Sequence, residues 1–175
     1  MKIGWCHTSL EATFCFAEPK RINLSKDKSI GGQGFLSCPS VRGYFHNTYS
    51  IASPFSLRLH CEHTWAGMTI QPVYPFTSLT PAKVQEFVKV EPKNSWRDPL
   101  AIALQIPSPY LFVADTPVIL SQGPVTLSTP SSFCWQIIPG RLNIYDWQRP
   151  LNWAFEWFPS GGDLIIRLGE PIYYI

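Results

Sequence analysis

Proline interrupts this chain so often that long helices have no room to form. Seventeen of its 175 residues are proline, and each fixes φ and removes a backbone donor. Joints at Pro54, Pro72, Pro75, Pro107, Pro109, Pro117, Pro124, Pro130 and Pro139 cut the sequence into short apolar stretches. A chain divided this way builds sheets of short strands, with proline at edges and strand ends. Its length suits one domain, residues 1–175, with a core large enough to need no metal or disulfide staples.

Several stretches alternate strictly. Leu57, Leu59, Cys61, His63 and Trp65 fall on one face of a strand and Arg58, His60, Glu62 and Thr64 on the other, the period of a half-buried strand. Leu151, Trp153, Phe155 and Trp157 alternate likewise with Asn152, Ala154 and Glu156. A Gly161-Gly162-Asp163 turn follows, then Leu164 to Arg167, which together predict a hairpin with a lengthened loop. A last strand over Ile172–Ile175 is expected to pair into a sheet. Further strands are predicted at 13–17, 49–51, 68–73, 101–106, 110–113, 118–120, 133–138 and 141–145. Thr80-Pro81 has the signature of a helix start, with Val84, Phe87 and Val88 at helical spacing, but residues 84–90 also read as an alternating strand. The glycine-rich stretch 20–34 predicts a mobile loop. The fold class that follows is all-β, a β-sandwich or distorted β-barrel of short strands with at most one short helix.

Charge narrows the function classes. The net charge is +2, and the densest basic cluster, Lys20, Arg21, Lys26 and Lys28, is diluted by Asp27. Nucleic-acid binders derive most of their affinity from a strong basic stripe, so this pattern argues against such a partner. No run of about 18 apolar residues marks a membrane span, and residues 1–7 lack a signal peptide's apolar core. Five cysteines, Cys6, Cys15, Cys38, Cys61 and Cys134, are odd in number and show no C-x-x-C spacing. They predict reduced, mostly buried thiols rather than a zinc ribbon or disulfide framework.

Candidate chemistry is sparse. His60-Cys61-Glu62-His63 is the densest polar cluster, yet on a strand His60 and Glu62 share one face while His63 points away. His60 and Glu62 are therefore weak metal candidates that need a distant third ligand from His7, His46, Asp115 or Asp146. Cys38 with His46 could form a thiolate–base pair, although a small buried turn residue is the plainer reading of Cys38. Asp115, at a strand end, reads as a residue bonding its own backbone. Glu156 reads as an outward residue, as the partner of Arg149, or as a buried acid with a raised pKa. No nucleophile elbow, Walker sequence or dinucleotide glycine pattern occurs, and nothing calls for a cofactor.

The aromatic surplus carries more information. Trp135, Tyr145, Trp147, Trp153, Trp157, Tyr173 and Tyr174 all fall in the last third. Alternation sends most of them into a core. Rings beyond what a core can hide make contact surfaces, because Trp, Tyr and Arg dominate interface anchors. Tyr145, Trp147, Arg149, Trp157 and Tyr173 are the candidate interface or ligand residues.

Three stretches taken together resemble a known family: Cys38-Pro-Ser-Val-Arg-Gly-Tyr-Phe-His-Asn-Thr-Tyr49 running into Ser53-Pro-Phe55, then residues 104–115, and Gly140-Arg-Leu-Asn-Ile-Tyr-Asp-Trp-Gln-Arg-Pro-Leu-Asn-Trp-Ala-Phe-Glu-Trp157 through Gly169-Glu-Pro-Ile-Tyr-Tyr174. The likeness is to short uncharacterised proteins of tailed phages, notably marine and cyanobacterial ones, and of some bacteria. It implies a phage genome and carries no activity. A protein so placed is made in the host cytoplasm during infection, and either stays there or enters the virion. The final strands also look like the end of the β-clip in dUTPase-like proteins, a likeness of fold only. The expectation is a non-enzymatic phage protein, a virion structural or assembly component that contacts other virion proteins or its own copies. Its rivals are a binder that sequesters a small host molecule or nucleotide, with Tyr145 and Arg149 in a deep cavity, and a metal-dependent enzyme using His60 and Glu62.

Overall fold

The computed structural model describes all residues except 10, 11, 13, 14, 25–36, 65, 66 and 127–133, with backbone alone at 63 and 64. The glycines at 31, 32 and 34, and most of the predicted loop, lie outside the described residues. So do two residues of the strand predicted at 13–17. Beside them the Phe16 N–H donates to the Ala12 carbonyl.

The chain is all-β and sandwich-like, built from short antiparallel strands. In chain order they are β1 (Ile3–His7), β2 (Lys20–Arg21), β3 (Tyr49–Ala52), β4 (Leu57–Thr64), β5 (Gly67–Pro72), β6 (Lys89–Val90), β7 (Ile102–Ile106), β8 (Tyr110–Ala114), β9 (Ile119–Gln122), β10 (Trp135–Ile137), β11 (Gly140–Asn143), β12 (Trp153–Trp157), β13 (Leu164–Ile166) and β14 (Pro171–Tyr174). Among the described residues two short helices, α1 (Pro39–Phe45) and α2 (Pro81–Phe87), interrupt them, one more than the sequence predicts.

Both helices begin with proline at the first turn, where its missing N–H costs nothing. Thr80 caps α2 by accepting a bond from the Lys83 N–H. The competing readings of 80–90 both contain part of the answer. The helix runs to Phe87, its cap Val88 is already extended, and Lys89 and Val90 pair with Gln105 and Leu104 of β7.

The largest sheet has the order β10-β12-β7-β6. Its register sets Trp153 opposite Ile106, Phe155 opposite Leu104 and Trp157 opposite Ile102, so side chains of both strands point the same way in pairs. A second sheet, β13-β4-β5, sets Leu164 against Leu59 and Ile166 against Leu57. All ten of these side chains are 0–1% exposed and belong to one core cluster. At about 25 cal/mol per Å² of apolar surface, fully burying one such side chain stabilises by about 1.5–3 kcal/mol.

The predicted hairpin does not form. β12 pairs with β10 and β7, whereas its successor β13 pairs with β4. Between them Pro159–Gly161 makes a 3-10 turn, and Gly162 adopts φ 120°, ψ −168°, a region essentially reserved for glycine. The chain thus crosses from one sheet to the other. Both strands keep their apolar faces inward by packing across the core instead of lying side by side.

The remaining sheets are β1-β8, β11-β9 and β14-β3-β2. A bridge joins the end of β9 to β14: the Gly123 N–H donates to the Tyr174 carbonyl and the Tyr174 N–H to the Gly123 carbonyl. Ile175 and Tyr49 exchange backbone bonds in the same way. No described helix is long and apolar enough to cross a membrane.

Candidate functional site

Tyr145, Trp147 and Arg149 lie on the exposed turn that follows β11. Asn143 organises it: its Oδ1 accepts the Tyr145 N–H, its backbone carbonyl accepts the Trp147 N–H, and its Nδ2 donates to Asp146. Such Asx bonding lets a short polar side chain replace missing backbone partners. Ile144, 2% exposed, anchors the turn in the core. Its neighbours Tyr145 and Trp147 remain 44% and 48% exposed. The Arg149 guanidinium lies over the Trp147 ring, 5.7 Å from its centroid, a cation–π contact that helps hold both side chains.

Trp157 and Tyr173 belong elsewhere. Both are 0% exposed, which removes them from any surface patch. Alternation along β12 turns Trp157 inward, where its Nε1–H donates to the Gly162 carbonyl at 2.9 Å. Tyr173 packs edge-to-face on Trp153 with ring centroids 6.0 Å apart. Burial pushes its hydroxyl's pKa up to about 12 against the lowering effect of Ser108 and Trp153 beside it. It is a core residue.

The third partner of the His60 cluster comes from none of the four positions expected. Asp163, at the start of β13, receives Arg58 Nε on Oδ2 at 2.6 Å and contacts His60 Nδ1 through Oδ1 at 2.7 Å. Burial acts to raise the Asp163 pKa, but the bonds and charges of His60 and Arg58 outweigh it and hold the carboxyl below its ordinary range. The β13–β4 register brings this acid beside the strand. Among the described residues no group of three or more His, Cys, Asp and Glu converges on a metal position. Glu62 is exposed on the same face as His60.

Cys38 and His46 stand at opposite ends of α1, as its N- and C-caps, which spaces their backbones about 12 Å apart at 1.5 Å per residue. They do not form a dyad. Cys38 is exposed rather than buried, and backbone N–H groups of Val41 and Ser40 lower its pKa. None of the five cysteines is in a disulfide, but Cys6 and Cys15 are exposed as well and only Cys134 is buried. The expectation of mostly buried thiols fails because β1 and α1 lie at the surface.

Asp115 bonds backbone, though not its own: its Oδ1 accepts the Lys2 N–H at 2.8 Å and ties β1 to the end of β8. Glu156 is buried at 5% exposure on the outer face of β12. Its partner is Arg97, not Arg149. Arg97 Nε donates to Oε1 at 2.8 Å and Nη2 to Oε2, while Gln136 Nε2 adds a bond to Oε2 at 2.9 Å. The Arg97 bond, the Gln136 bond and the Arg97 charge together outweigh burial and lower the Glu156 pKa, opposite to a raised-pKa acid.

One feature of the surface has no counterpart in the sequence reading. Tyr44 of α1 and the segments 121–124 and 139–141 line an open cleft of about 420 Å³. It neither includes Tyr145 or Arg149 nor forms a deep cavity. Its lining comes from three places in the chain, and no local spacing connects them. Protein-family models, curated proteins and solved structures were all compared with this chain, and none matches it.

Proposed function

We propose that this protein acts without catalysis, through protein–protein contact at the Tyr145–Trp147–Arg149 turn, as a phage virion or assembly component. The observation that carries the reading is the half-exposed Trp147 ring with Arg149 stacked on it, on a turn fixed by Asn143. Trp, Tyr and Arg are the residue types on which binding energy concentrates. A turn already held by its own hydrogen bonds loses little conformational freedom on docking.

The phage setting rests on the resemblance of residues 38–55, 104–115 and 140–174 to short tailed-phage proteins. The partner is then another virion protein or a second copy, met in the host cytoplasm during infection or in the particle. Proteomic mass spectrometry of purified particles tests the setting, and cross-linking tests the surface. Cross-links from the 145–149 turn to a virion protein, lost in Trp147→Ala, support the proposal. A hot-spot residue lost in this way weakens binding by about 2 kcal/mol or more. Particles without the chain would overturn the structural role.

A further inference from the structure

The cleft beside α1 has a charge and shape that select one class of ligand. Of its lining residues only Arg141 is charged, and Arg141 makes no ion pair with any described residue. Tyr44 offers a ring that is 57% exposed, and Pro124 and Pro139 supply apolar walls. Gln122 borders the cleft but is only 7% exposed, its side chain on the face of the ribbon opposite Arg141.

The walls are held in place from behind. Phe45, 3% exposed, packs edge-to-face on Tyr174 at 5.8 Å, and the Thr48 hydroxyl donates to the Tyr44 carbonyl at 2.7 Å. The Gly123–Tyr174 bridge fixes the other wall. The Tyr44 hydroxyl lies 3.5 Å from where a Cβ at Gly123 would sit, so the two walls meet at this point. The volume falls within the range of small-molecule sites.

The geometry points to this cleft as a binding site for a small organic anion that carries a flat ring. The anion meets Arg141, and the ring lies against Tyr44 and the prolines. Carboxylate and phosphate share the chemistry Arg141 recognises. The site is separate from the proposed contact turn. Gln122 pairs with Gly140 at one end of the β9-β11 ribbon, and Ile119 with Asn143 at the other, about 10 Å away at 3.4 Å per residue.

Amide NMR of the full chain with adenosine monophosphate, benzoate and inorganic phosphate tests this. The site predicts shifts at Gly123 and Gly140 with adenosine monophosphate or benzoate below about 1 mM, and the two arms separate phosphate from carboxylate recognition. Arg141→Gln, an exposed change, weakens binding about tenfold while the rest of the spectrum stays native, and Tyr44→Leu weakens the ringed ligands only. Three results overturn the inference. They are silence of both ringed probes, equal binding in Arg141→Gln, and inorganic phosphate binding as tightly as adenosine monophosphate. None of these bears on the contact turn, whose cross-links do not depend on Arg141.

Discussion

Trp157 and Trp147 are ten residues apart and the structure gives them opposite roles, so truncating each to alanine separates core from surface. Trp157 is 0% exposed, pairs in register with Ile102 and Trp135, and donates its indole N–H to Gly162. Replacing a core Trp by Ala costs about 3–5 kcal/mol in lost transfer energy and cavity. The unpaired Gly162 carbonyl adds about 1 kcal/mol. Against a total stability of about 5–15 kcal/mol for a domain, Trp157→Ala removes about a quarter or more. Trp147 is half exposed, and truncating such a residue changes stability by about 0.5 kcal/mol or less. Urea unfolding followed by far-UV circular dichroism reads the difference directly. With a slope of about 2 kcal/mol per M, Trp157→Ala lowers the midpoint by about 2 M and Trp147→Ala barely moves it. Should Trp157→Ala fail to fold, Trp157→Phe supplies a milder test, at about 1–3 kcal/mol from the lost indole bond and volume. Equal midpoints for the Trp157 and Trp147 variants would refute the burial argument.

Other consequences follow from the polar and backbone features. Glu156 and Asp163 are both held below the ordinary carboxylate range. Each adds stability that is fully present above its unfolded pKa and lost as pH falls through its lower folded value. Urea midpoints therefore stay level on the alkaline side of about pH 5 and fall below about pH 4, and Asp163→Asn flattens part of that fall. Arg97→Ala leaves a buried carboxylate with only Gln136, so it lowers the midpoint at neutral pH more than at pH 3, the comparison that isolates the ion pair. Gly162→Ala forces a side chain onto a φ of 120° and costs about 1–3 kcal/mol by the same unfolding measurement. Thr80→Ala removes the α2 cap and costs about 1 kcal/mol.

Strand existence was readable because alternation is local. Leu57 and Leu59 against Arg58 and His60 define β4 without knowledge of its neighbours. Strand partnership was not readable, because the same inward face on β12 and β13 is satisfied by pairing side by side or by facing each other across the core. Gly162 and the 3-10 turn at Pro159–Gly161 decide for the second arrangement. α1 carries the proline signal of a helix start but too few apolar residues to show a periodic face. The polar pairs reflect the same limit. Arg97 lies 59 residues from Glu156 and His60 lies 103 from Asp163, so only the register of the sheets reveals them. The contact turn was partly legible: Tyr145, Trp147 and Arg149 are at the surface as the sequence suggests, while Trp157 and Tyr173 went to the core that alternation demands.

The central claim is that the exposed turn, and not a reaction, carries the function. Cross-linking mass spectrometry on purified phage particles tests it most directly. The account predicts the chain in the particle, with cross-links from residues 145–149 to a virion protein or a second copy that disappear in Trp147→Ala. Absence of the chain from particles, or the same cross-links in Trp147→Ala, would contradict it.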